Sequence, residues 1–278
     1  MSSILTAGLK DMDDFDLDMG ESEDEEENTT STGNNAGLYQ KTVDFCGGAD
    51  LVQIFGPTGS GKTEFIVSVV EDAVSNTDND ILFIDTERNL SDNERVSDVD
   101  YVYVPDWDDI YAYVSGKSTM LNQNSFGENS TGSKSLEDGY DIVVLDSIGL
   151  PALMKYDEYS IEDDADQFKV FQMFQYVSGL LKRYAQRNDA LVLVTNQPGS
   201  ELASDGGDSP FGDKSQFAYK EMWKTQQESS SEFSTTCYVN AFRSRQAGKG
   251  KKLFKLEISD NGTEVTRVDS EQESNEWT

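Results

Sequence analysis

The sequence has no histidine, two cysteines, and 22 lysines and arginines against 53 aspartates and glutamates, a net charge of −31 over 278 residues. Without histidine there is no Ser-His-Asp or Cys-His nucleophile and no imidazole metal site. Cys46 and Cys237 are too few for a disulfide framework, which fits a reducing cytosol. No apolar run approaches the roughly 20 residues a membrane span needs, and the first residues lack the basic-then-apolar pattern of a signal peptide. These absences predict a cytoplasmic protein with no membrane partner. The apolar fraction, 36%, is also low for a globular chain, so part of the sequence is expected to be tail.

The acid is uneven. Residues 1–40 carry eleven acids against Lys10, and residues 268–278 add four more, which leaves −17 on 41–267. We expect acidic tails at 1–40 and 268–278 around a core at 41–267. The first tail reads as a disordered solvating segment, although Ile4, Leu5, Leu9, Phe15 and Leu17 leave a docking role open. Acid spread over the core as well points to a saline cytosol. At molar salt the Debye length falls to about 3 Å, so local charge decides binding and the net charge does not exclude nucleic acid.

Within the core, short apolar runs alternate with helical stretches. Strands are predicted at 51–55, 81–85, 101–105, 141–146 and 190–195, with helices over 61–74 and 166–187. Runs apolar on both faces belong to a parallel sheet buried between helices. Three further strands, 235–242, 252–258 and 263–268, with a turn at Asp260-Asn261-Gly262, read as an antiparallel extension. The Ser-, Asn- and Gly-rich stretch 115–139 reads as a surface insertion. The expected fold class is α/β: a mostly parallel central sheet with C-terminal antiparallel strands.

The chemistry centres on Gly56-Pro57-Thr58-Gly59-Ser60-Gly61-Lys62-Thr63, which fits the phosphate-binding loop pattern G-x-x-x-x-G-K-[ST] between a strand and a helix. Glycines let the backbone approach, so that N–H groups at a helix N-terminus surround phosphate oxygens. Lys62 would neutralise the β- and γ-phosphates of ATP, and Thr63 would ligate Mg²⁺. Asp146, at a strand end some eighty residues later, is expected to hold the same Mg²⁺ through water, although taken singly it also reads as a helix cap. Glu87, in Asp85-Thr86-Glu87, is placed to orient and deprotonate an attacking water. Asn196 and Gln197, after the fifth strand, are neutral amides able to sense a γ-phosphate. Together they describe nucleotide hydrolysis.

With these residues in order, the chain resembles the RecA/RadA-type recombinase superfamily. FIDTE (83–87), IVVLDS (142–147) and LVTNQ (193–197) follow the loop as they do in that family, most like its archaeal branch, RadA and the shorter RadB-like paralogues. The resemblance spans about 44–260. It implies a RecA-like P-loop fold, Glu87 as the catalytic glutamate, and Gln197 coupling ATP to a DNA-binding loop. Arg95 resembles the family's adenine-stacking arginine, one residue late. Arg243 and Arg245 resemble basic residues that reach ATP across a subunit interface, which implies a homo-oligomer; an ordinary exposed strand pair is the other reading.

The departures are equally specific. No helix-hairpin-helix domain and no Phe-x-x-Ala polymerisation motif precedes the core, Ile4-Leu5-Thr6-Ala7 being a weak echo. The two expected DNA-loop regions, 154–167 and 198–224, are acidic, with Lys155 alone in the first and Lys214 beginning the scarce cations of the second. Tyr156, Tyr159, Phe211, Phe217 and Trp223 are candidates to stack on bases. Arg243, Arg245, Lys249, Lys251, Lys252 and Lys255 form the best basic cluster, read either as a solvated hairpin or as a phosphate contact. Two functions follow. One is a RadB-like ATPase assisting recombination or repair, acting on a RadA-type recombinase or on single-stranded DNA. The other is an ATP-gated regulatory module, KaiC-like, with little turnover and no direct DNA binding; the Asn196-Gln197 pair argues against that branch. A small-metabolite kinase would need a lid or acceptor motif that is absent.

Overall fold

Among the described residues, nine strands form one sheet in the order β3-β2-β4-β5-β1-β6-β7-β8-β9. The computed structural model describes residues 36–48, 50–88, 90, 94–116, 135–160, 164–197 and 218–268, and side chains at 94, 159, 160 and 164–167 also lie outside the description. Residues 1–35 and 269–278 of the expected tails, all but the ends of the 115–139 insertion, Phe211, Phe217, Lys214 and the side chain of Tyr159 therefore fall outside it, whereas a helix begins at Leu38, inside the expected first tail.

The parallel half contains β1 (Leu51–Phe55), β2 (Ile81–Asp85), β3 (Asp100–Tyr103), β4 (Ile142–Asp146) and β5 (Leu191–Asn196). All residues of β1, β2, β4 and β5 are buried. The cause is a helix layer on each face. Val52 and Ile54 pack with Phe65, Ile66, Val69 and Val70 of α2 (Lys62–Asn76). Leu51 and Phe55 share the other face with Ile110 of α3 (Trp107–Val114) and with Phe174, Val177 and Leu181 of α5 (Asp164–Asn188). The spacing Phe65, Ile66, Val69, Val70, Ala73 turns one stripe of α2 inward. Each such large side chain contributes about 1.5–3 kcal/mol. Phe65 also meets the rings of Trp223 and Phe254 at 6.2 and 5.1 Å, so its loss would open both halves of the core.

The antiparallel half is β6 (Glu221–Ser230), β7 (Ser234–Arg243), β8 (Lys252–Ser259) and β9 (Gly262–Arg267), joined to the parallel half where β6 runs parallel to β1. Two helices complete the described chain: α1 (Leu38–Cys46), stopped by Gly47 in the left-handed region, and α4 (Gly149–Ser160).

Expected strands fall within two residues of their observed ends. Three differences bear on function. The first acidic region, read as a DNA loop from 154, begins inside α4, where Tyr156 is half-buried against the α5 side of the core. Trp223, read as a stacking aromatic, lies on β6 beside β1 and is 0% exposed, so it is core. The strand β6 was itself unforeseen: only its first half is buried, and Gln226 to Ser230 is polar and exposed.

Candidate functional site

The phosphate-loop residues Gly56 to Thr63 join β1 to α2. Gly56 is dictated by crowding: a Cβ there would collide with the hydroxyl and carbonyl oxygens of Thr225 on β6. Gly61 caps α2 at φ 87°, a conformation that other residues adopt only at a cost. The Ser60 hydroxyl lies 2.6 Å from that of Thr225 and donates to the Pro57 carbonyl at 2.7 Å, which pins the loop to β6. The Lys62 ammonium is buried and donates to the carbonyls of Gly56 (2.8 Å) and Pro57 (2.9 Å). Burial lowers its pKa, and the charges of Asp146 and Glu87 oppose that shift.

Beside the loop, the parallel strands end together. Thr63 Oγ1 donates to Asp146 Oδ2 at 2.8 Å, and the Thr195 hydroxyl donates to Oδ1. Asp146 is 8% exposed. Burial pushes its carboxyl pKa up, the two hydroxyls pull it down, and the carboxylates of Glu87 and Asp85 raise it. No acid or base neutralises it by an ion pair among the described residues. The next peptide, Asp146–Ser147, is cis.

Glu87 is held on both sides. Ser147 Oγ donates to Glu87 Oε1 at 2.9 Å. The backbone N–H of Glu87 donates to Asp85 Oδ1 at 2.8 Å, and that carboxylate also accepts from Arg88 and Leu90 N–H and from the Tyr101 hydroxyl at 2.7 Å. Thr86 N–H donates to the Asp146 carbonyl, and the Ser147 N–H to the Thr86 hydroxyl, each at 2.8 Å. These bonds fasten the end of β2 to the end of β4, which fixes Glu87 relative to Asp146. Sequence reasoning missed Asp85, Thr86, Ser147, Thr195 and Thr225. The signal for the first four lay inside the quoted motifs, whereas Thr225 sits in a strand that its polar second half concealed.

The structure thus gathers Gly56, Pro57, Thr58, Gly59, Ser60, Gly61, Lys62, Thr63, Glu87, Asp146 and Gln197 at the C-terminal ends of β1, β2, β4 and β5. Gln197 is half-buried, its N–H donating to Asn196 Oδ1 at 2.9 Å. A glycine loop with no room for a Cβ at Gly56, a buried ammonium at its helix, and a hydroxyl beside a buried, unneutralised carboxylate are chemically suited to a phosphate–Mg²⁺ group.

The remaining arginines lie elsewhere. Arg95 sits against α2, bonded to Glu64 (2.8 Å), Glu71 (3.0 Å) and Ser68 (3.1 Å). It borders a cleft of about 680 Å³ that is also lined by Glu71, Thr236, Asn261 and Thr263. Glu64, next to Thr63, joins this cleft to the loop, accepting from Thr263 Oγ1 at 2.7 Å. Arg243 and Arg245 lie at the other end of the sheet, where β6 begins beside Val52, so they do not reach the phosphate loop of their own chain. Arg245 pairs with Asp50 (2.7 Å) and Glu221 (3.3 Å) and donates to the Cys46 carbonyl (2.6 Å). In the basic cluster, Lys249 covers the Phe242 ring and Lys252 the Tyr238 ring. No helix among the described residues is long and apolar enough to cross a membrane.

With this mostly parallel sheet, its antiparallel extension and its loop, the chain has a RecA-like fold. No family model matches it, but individual proteins do. The chain is 31% identical over 172 residues to the DNA repair and recombination protein RadB of Methanothermobacter thermautotrophicus, covering 58% of this chain and 66% of that protein. It is 27% identical over 161 residues to the RadB of Methanosphaera stadtmanae, covering 56% and 62%. The chain thus spans just under two thirds of the length of the curated relatives it matches. Among solved structures, a RadB recombinase superposes with a TM-score of 0.55 over 83% of this chain and 97% of that one. The KaiC-like protein PH0186 of Pyrococcus horikoshii superposes with 0.51 over 79% and 90%. Both are 17% identical to this chain and speak for the fold alone. In sequence, the chain is similar to these two RadB proteins over just over half of its length.

Proposed function

We propose that this protein is a Mg²⁺-dependent ATP-binding protein that hydrolyses ATP slowly and assists DNA recombination or repair in a saline cytoplasm. The observation that carries the reading is the convergence of Lys62, Thr63, Asp146 and Glu87 at one end of the parallel strands. The loop N–H groups and Lys62 hold the β- and γ-phosphates. Thr63, with Asp146 through water, would hold Mg²⁺, which supplies positive charge for the phosphate oxygens when bound. Glu87 orients a water and accepts its proton as the water oxygen bonds to the γ-phosphorus and ADP leaves. Gln197 hydrogen-bonds the terminal phosphate and passes its presence to the segment that follows. A domain core at 41–267, flanked by acidic tails, belongs to the same proposal.

The expected result for Lys62→Ala is loss of ATP binding by at least about tenfold in titration calorimetry, the loss of one charge-assisted contact in a buried site. Unchanged affinity would sink the loop assignment. Arg95 is proposed as the base-stacking residue, and Arg243 and Arg245 as contributors across an interface between copies. The proposed partners are single-stranded DNA and a RadA-type recombinase.

A second reading, an ATP-gated interaction module with little turnover, is favoured by the burial of Trp223. ATPase assays at molar KCl with and without single-stranded DNA separate the two. Stimulation fits the first, and indifference with tight ATP retention fits the second.

A further inference from the structure

Gln53, in the middle of β1, is fully buried, and neither oxygen nor nitrogen of its amide has a hydrogen-bond partner. Strand alternation puts its side chain on the face of Leu51 and Phe55, under α5, opposite Val194 on β5 and Met222 on β6. Two residues beyond Val194, on the same face, lies Asn196, also fully buried. Its Oδ1 accepts from the Gln197 N–H, and its Nδ2 is unpaired. A Cβ on Gly149 would collide with Asn196 Oδ1, so the first residue of α4 packs directly on this amide.

Three unmet amide atoms therefore share one sheet face, on two paired strands, immediately beneath Gln197. Buried polar groups are almost always satisfied, and an unmet one lowers stability. Methionine, of similar length, would suit the Gln53 position better for folding alone. A local choice that works against the fold is the mark of a functional position. Diagonal neighbours on paired strands lie roughly 7–8 Å apart, within reach of a glutamine side chain.

We propose that Gln53 is a positioning residue for Asn196 and Gln197. On nucleotide binding its amide oxygen accepts from Asn196 Nδ2, tying β1 to the end of β5. The inference rests on the nucleotide reading above and deepens it: Gln53 lies three residues before Gly56, so β1 carries the state of the loop to the Asn196–Gln197 pair.

The test is hydrogen exchange of the peptide 191–197 in the full chain, with and without Mg²⁺–ATPγS, beside calorimetric binding of the same nucleotide. In the unmodified protein the nucleotide slows exchange. Gln53→Met is expected to raise Tm by about 2–4 °C, to bind nucleotide within about twofold of the parent, and to lose most of the slowing. Asn196→Ala should lose it too, and the double variant should lose no more than either single one. Retained slowing in Gln53→Met would overturn the proposal and make the amide a packing defect. Nucleotide binding without slowing in the parent overturns the proposal alone, whereas no binding at all removes the nucleotide reading with it.

Discussion

The two ends of β1 hold buried charge in opposite ways. Below Leu51, Arg245 answers Asp50 and Glu221, which are 6% and 0% exposed at their side chains. Above Phe55, Lys62 turns to two carbonyls and Asp146 to two hydroxyls, and among the described residues neither is neutralised by direct contact. The first arrangement spends its charges on joining α1, β1, β6 and the turn after β7. The second keeps an ammonium and a carboxylate available, which is what a phosphate–metal group requires. A paired charge cluster therefore reads as architecture, and an unpaired one a strand-length away reads as a site.

The comparison can be broken at several points. The largest effect is expected for Arg245→Ala, which strands two buried carboxylates and should cost about 3–5 kcal/mol in urea unfolding. A loss under about 1 kcal/mol would mean that the lower cluster is not structural. Asp146→Asn should do the reverse, adding about 1 kcal/mol because an amide is cheaper to bury than a lone carboxylate, while abolishing Mg²⁺-dependent ATP binding. Its pH signature follows from the raised carboxyl pKa. The native state keeps this proton to higher pH than the unfolded chain does, so Asp146 lowers stability as pH rises from its unfolded pKa through the raised one. Difference curves between parent and Asp146→Asn should converge at the acid end of that window. The smallest effect concerns salt. Raising KCl to molar levels should stabilise the −31 chain by screening its surface, yet change the Arg245→Ala difference by less than about 0.5 kcal/mol, because the Asp50 and Glu221 carboxylates are buried and weakly screened. A difference that collapses with salt would place that pair at the surface energetically.

Much of the parallel half was legible because its strands are apolar on both faces and its loop is a motif. Asp146, Glu87 and Gln197 were readable from strand ends. The rest was hidden for physical reasons. The strand β6 owes its place to pairing with β1 and β7, so Thr225-Gln226-Gln227-Glu228-Ser229-Ser230 carries little apolar signal. Trp223 resembled a binding aromatic only while β6 was unseen. The ion pairs of Arg245 were hidden because its partners, Asp50 and Glu221, are 195 and 24 residues away in sequence.

The position of β1 also sets how this chain tolerates being cut. It is the strand by which the parallel half meets the antiparallel half, with β5 on one side and β6 on the other. A fragment ending after Gln197 would keep every expected catalytic residue and still present Leu51–Phe55, apolar but for Gln53, as a bare edge. Such edges recruit other chains. The antiparallel half is thus a permanent cover for the strand that launches the phosphate loop, and a minimal ATPase excised without it would aggregate before it could be assayed.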